Sequence, residues 1–170
     1  MARSPTEGID PSTLPPEVRE YMMKRFREGI EEHVPQNKAL GMKLISMEGH
    51  RLTVRLPYDA RLVGNPETGV LHGGAITTLM DSTAGSAVFL RLMQPIPVAT
   101  LDLRIDYLKP ATPPKDVLAR AECFKSTEHV AFVRCECFHE DDESDLIAVA
   151  NGTFILFRGK HYSTRKKAEP

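Results

Sequence analysis

Cysteine, aromatic residues and long apolar runs are all scarce in this chain, and each scarcity removes a class of protein. Three cysteines in 170 residues are an odd number, and no secretory leader is evident, which argues against a disulfide framework. Cys135 and Cys137 fall on one side of a strand. No further Cys or His cluster joins them, so free buried thiols are expected and no metal site. No apolar stretch approaches the roughly 20 residues that span a bilayer, and Met1-Ala2-Arg3-Ser4-Pro5 lacks the apolar core of a secretory signal. These features predict a cytoplasmic protein with no membrane partner. Aromatics are 6% of residues and the body is acidic, which argues against nucleic acid as a partner. There is no Gly-x-Ser-x-Gly elbow, so α/β-hydrolase chemistry has no basis.

What is present fits one domain with a substantial core. Apolar residues are 41% and charged residues 26%, as in ordinary soluble globules. The net charge of −1 hides an asymmetry. Residues 158–170 carry Arg158, Lys160, Arg165, Lys166 and Lys167 against Glu169, a net +4 that leaves −5 on the rest.

The pattern predicts a first helix from about Leu14 to His33, capped by Thr13, with Pro15 and Pro16 in its first turn. Val18, Met22, Phe26 and Ile30 recur at i+4 as one apolar stripe, and Pro35 closes the segment. Two short strands follow, Lys43–Glu48 and Arg51–Pro57, around a Gly49-His50 turn. After a loop over 58–72, a helix from Gly74 to Met93 runs up to Pro95 and Pro97. Val98–Lys109 alternates, with Leu101, Leu103, Ile105 and Tyr107 on the buried face and Asp102, Arg104 and Asp106 on the wet one. Three more strands, Val117–Lys125, Val130–His139 and Leu146–Phe157, put Val117, Ala119, Ala121 and Cys123, then Ala131, Val133, Cys135 and Cys137, then Ala148, Ala150 and Gly152, on single faces. Small residues there let a sheet curl around the long helix. The order predicts an α+β domain, an antiparallel sheet wrapped around one helix.

Chemistry concentrates in Leu71-His72-Gly73-Gly74 and the helix behind it. Glycines let backbone approach a ligand, and the unpaired N–H groups of a helix start point at it. Asp81 sits two turns inside, costly to bury without a partner or a task. Thr77, Thr78 and Gly85 share its side of the helix.

These residues, with Leu40-Gly41-Met42 and the strand Thr100-Leu101-Asp102-Leu103-Arg104-Ile105-Asp106-Tyr107-Leu108-Lys109-Pro110-Ala111, resemble the hotdog-fold acyl-CoA thioesterases, in particular the phenylacetate-pathway (PaaI-like) group. The resemblance implies a hotdog domain over 40–158, an N-terminal extension with the amphipathic helix over 1–39, and a basic tail over 159–170. It implies hydrolysis of an acyl- or aryl-CoA, with coenzyme A a part of the substrate and no separate cofactor. Asp81 is then the catalytic carboxylate, as general base or as nucleophile. The Gly74 amide would polarise the thioester carbonyl with Gly73 and His72 beside it, and Asn65 would position water or thioester. Thr100 would reach in from a second subunit, provided its strand bulges or twists near its start. Arg91, Lys109, Arg158 and Lys160 are the candidate cations, by position, for coenzyme A phosphates. A homodimer would complete the site, and a tetramer would form as a dimer of dimers. Two other readings stay open on the same fold, a hydratase or dehydratase acting on acyl thioesters and a non-catalytic acyl-CoA-binding module.

Overall fold

The computed structural model describes residues 11–94 and 96–158; most of the basic tail, including Lys160, His161, Arg165, Lys166 and Lys167, lies outside them. A short 3₁₀ turn (Pro11–Thr13) leads into α1 (Pro16–Glu28), a π-helical turn (Gly29–His33) and the short α2 (Pro35–Ala39). Strands β1 (Lys43–Glu48) and β2 (Arg51–Leu56) follow, then a small hairpin of β3 (Val63–Asn65) and β4 (Val70–Leu71). The long α3 (Gly73–Leu92) precedes β5 (Val98–Tyr107), β6 (Val117–Ser126), β7 (Val130–Phe138) and β8 (Ala148–Leu156). Six strands form one antiparallel sheet in the order β1-β2-β6-β7-β8-β5. With α3 against its inner face, this is the hotdog fold.

The core follows from two periods meeting. On one face of β6, β7 and β8 small or medium residues are buried in alternation: Val117, Ala119, Ala121 and Cys123; Ala131, Val133, Cys135 and Cys137; Ala148, Ala150 and Gly152, with the larger Phe154 following. Against them α3 turns Ala75, Ile76, Leu79, Met80, Thr83, Ala84, Ala87 and Val88, a wide helical stripe at i, i+3 and i+4. Small strand residues bring the sheet close enough to enclose the helix.

The sequence expectations need four corrections here. Pro15, not Thr13, is the N-cap of α1, and no side chain caps it. The first helical run ends at His33 with Val34 extended, as expected, but Pro35 also starts a further short helix, α2, because proline suits a first helical position. Val18 is exposed, and the stripe of α1 reaches the core only from Met22 onward to Ile30. Alternation in β5 fails at Leu101, which is 58% exposed. Thr100 pairs with Phe154 and Asp102 with Thr153, so Leu101 is an extra residue, a β-bulge that reverses the facing of everything before it. Tyr107 at the far end is half exposed.

The N-terminal helices are tied down. Glu31 pairs with Lys43 at 2.9 Å and accepts from the Leu44 amide at 3.1 Å. Buried Asn37 donates to Ser82 on α3 at 2.7 Å.

All three cysteines are free and buried. Burial pushes the Cys123 thiol from its ordinary 9.0 up to about 11, and pushes Cys135 and Cys137 higher still. Only the thiolate is nucleophilic, so at pH 8 none should react with a thiol-specific reagent until denaturant exposes them. The folded pKa values lie above the unfolded one, so stability is insensitive to these groups below about pH 9 and falls as the pH climbs toward 11. Labelling of native and unfolded protein checks the first point and denaturation across that pH range the second.

Candidate active site

Two clusters form, one at each end of the first half of α3. At the helix start, His72 is the N-cap, and its Nδ1 accepts the Gly74 amide at 2.9 Å. The β3–β4 hairpin holds this turn. The His72 amide donates to the Leu62 carbonyl at 2.8 Å, and a Cβ on Gly64 would lie 2.9 Å from His72 Cα. From β5, the Tyr107 hydroxyl donates to the Gly73 carbonyl at 2.7 Å and sits 2.8 Å from Thr77 Oγ1. Tyr107 thus clamps the Gly73-Gly74 start. Its sequence reading as a core residue missed that role, and a phenol at the end of a half-buried strand was the available signal.

The second cluster centres on Asp81. The Thr100 hydroxyl donates to Asp81 Oδ1 at 2.8 Å. The bulge at Leu101 makes this possible by turning Thr100 away from the face of Asp102 and Arg104. The expectation that Thr100 arrives from a second subunit is therefore corrected: it is bonded to the carboxylate of its own chain. Asp81 Oδ2 has no partner among the described residues, and Asp81 lines a cavity of about 640 Å³.

That cavity lies between two helical layers. One wall is the α3 stripe of Thr78, Asp81, Ser82, Gly85, Ser86 and Phe89; the other is the N-terminal arm, with Phe26, Gly29, Ile30 and Val34. The small, polar stripe around Asp81 was visible in the sequence, but its cover was not.

Other expected site residues are spread out. Asn65 is exposed, and its Oδ1 accepts the Glu67 amide at 3.0 Å, closing a local turn. Lys109 lines a shallow cleft with Gly73 and Tyr107, but its ammonium is paired with Asp145. Arg158 sits beyond the other end of β5, following Phe157, whose amide donates to the Pro97 carbonyl at 3.0 Å. Its Nε and Nη2 are buried with no acceptor among the described residues. No group of three or more potential metal ligands exists among those residues, and no helix there is long and apolar enough to cross a membrane.

The family model described as the thioesterase superfamily matches residues 68–145, from the turn before His72 through the acidic loop after β7. The medium/long-chain acyl-CoA thioesterase YigI of Escherichia coli is 30% identical over 150 residues, covering 81% of this chain and 95% of that one. The chain belongs to the thioesterase superfamily. A Pseudomonas aeruginosa protein of known crystal structure is 41% identical, with a TM-score of 0.70 over 79% of this chain and 98% of that one. A solved variant of the phenylacetic acid degradation protein PaaI from Thermus thermophilus is 27% identical, with a TM-score of 0.61 over 72% and 98% of the two chains. Superfamily membership accounts for the antiparallel sheet and for the long helix α3 against it.

Proposed function

We propose that this chain is an acyl-CoA thioesterase whose site is completed by a second copy, with Asp81 as general base. The observation that carries the reading is the Asp81–Thr100 pair on the wall of a largely apolar cavity. Thr100 fixes one carboxylate oxygen by a charge-assisted hydrogen bond and leaves the other to hold water. Water loses a proton to Asp81 Oδ2 as its oxygen attacks the thioester carbonyl carbon. The tetrahedral intermediate then expels the coenzyme A sulfur, and the proton on Asp81 passes to that thiolate. The products are a free acid and a thiol.

Charge builds on the carbonyl oxygen, and a helix start answers it with unpaired N–H groups and about half a positive charge. Gly74 and Asp81 are seven residues apart on one helix, about 10 Å at 1.5 Å per residue. One carbonyl group cannot touch both within a chain. The Gly74 amide at an Asp81 site therefore comes from a second copy, exchanging the exposed His72 ring for the substrate oxygen. The free edge of β5, ten residues long with Leu101 and Tyr107 exposed, supports such pairing. Arg158 is the cation assigned to a coenzyme A phosphate, because its Nε and Nη2 find no acceptor among the described residues, whereas Lys109 already has Asp145.

The domain assignment follows the same reading: a hotdog unit over 40–158, preceded by the helical extension and followed by the basic tail. Free-thiol release from butanoyl-, octanoyl-, hexadecanoyl- and phenylacetyl-CoA tests the proposal. Release from at least one ester is expected. Binding without release would point to a binding module, and hydration of an enoyl-CoA without release would point to a hydratase.

A further inference from the structure

We infer that the N-terminal arm is the acyl-binding wall of this site, and that Gly29 sets the length of acyl chain the cavity accepts. The inference rests on the acyl-thioesterase reading above and adds where the acyl group lies. The lining includes Asp81 and Thr100 and, from the arm, the polar Arg25, His33, Gln36 and Asn37, but most of its exposed surface is apolar, with Phe26, Ile30, Val34, Phe89 and Phe154 contributing. A thioester carbonyl beside Asp81 sends its hydrocarbon tail between the arm and α3. At about 640 Å³ this open-sided cleft falls within the usual size range of small-molecule sites. A short acyl group would leave most of it unfilled. The substrate class this shape serves is a medium or long alkyl chain.

Gly29 is the opening in that wall. It stands inside a continuous helical run, where glycine costs about 0.5–1 kcal/mol relative to alanine. Its φ of −60° and ψ of −50° suit any residue, so no turn requires glycine there. A Cβ on it would meet no atom within 4 Å, and Gly29 lines the cavity. It also begins the π-helical turn, a costly local geometry that recurs at functional sites. Across the cavity, Gly85 likewise presents no side chain, and a Cβ there would stand 3.7 Å from the Phe154 ring. Two side-chain-free positions on facing walls keep the cleft wide. The arm is held over it by Asn37 on Ser82, next to Asp81, and by Glu31 on Lys43 and the Leu44 amide.

The test separates binding from turnover by using S-alkyl coenzyme A thioethers, which lack the carbonyl and cannot be hydrolysed. Dissociation constants are measured for butyl, octyl, dodecyl and hexadecyl thioethers on the wild type, Gly29→Leu and Gly29→Phe, with hydrolysis of the matching acyl esters run in parallel. Wild-type affinity should rise with chain length, by up to a few-fold per buried methylene. Gly29→Phe should remove about tenfold or more of that gain for dodecyl and hexadecyl while leaving butyl within about threefold. Gly29→Leu should fall between. A length profile identical in the wild type and both variants, or a wild type indifferent to length, would overturn the assignment. A profile that shifts as expected without ester hydrolysis would uphold the wall and overturn the thioesterase reading; hydrolysis with an unshifted profile would do the reverse.

Discussion

Asp81→Asn should lower kcat for acyl-CoA hydrolysis by about 10²–10⁴-fold, the usual worth of a positioned general base, and leave the fold untouched. The amide is the same size, and its carbonyl oxygen can still accept from Thr100, so the bond at 2.8 Å survives. What is lost is the basic oxygen on the cavity side. Asp81 is only half-buried and pays for no core packing, so unfolding free energy should stay within about 0.5 kcal/mol of wild type. Steady-state kinetics and a denaturant titration on the same preparation check both halves. Turnover within tenfold of wild type would remove Asp81 from the chemistry.

Leu79→Ala, two residues earlier on the same helix, should show the opposite signature. Leu79 is fully buried between α3 and the sheet, and truncating such a side chain typically costs 2–5 kcal/mol through lost transfer energy and the void left behind. Against a typical total of about 5–15 kcal/mol, that is a large shift in the denaturant midpoint, with the slope unchanged. Leu79 does not line the cavity, so activity per folded molecule should stay near wild type. Position on the helix decides which property suffers. Residues 79 and 81 point to opposite sides, one into the sheet and one under the N-terminal arm.

That two-sidedness shows what was legible in the sequence. The sheet could be read because β6 as far as Cys123, β7 and β8 bury every second residue, and the helix start because His72-Gly73-Gly74 combines a cap with two glycines. The β5 bulge could be read only as a condition, that the strand bulge or twist near its start if Thr100 was to serve; its place could not, since Leu101 continues the apolar alternation and nothing local marks it as the extra residue. Yet that single residue brings Thr100 to Asp81. The cover over Asp81 was hidden for a different reason. The stripe Thr78, Asp81, Ser82, Gly85, Ser86 and Phe89 is periodic, but only tertiary packing says that α1 and the π-helical turn lie across it. Lys109 looked like a free cation because its partner, Asp145, lies 36 residues away in an acidic loop.

In the proposed site one copy supplies Asp81 and Thr100 while another supplies the helix start. Mixing two inactive variants tests it most directly. Asp81→Asn removes the base. Gly74→Pro removes the amide at a first-turn position that helix geometry allows, and it displaces the His72 imidazole, whose Nδ1 would stand 2.9 Å from the new Cβ. Each alone should be inactive. After subunit exchange, random pairing leaves about one site in four intact, and activity should return to about a quarter of wild type. Exchange demonstrated by mass, with no return of activity, would contradict a site shared between copies.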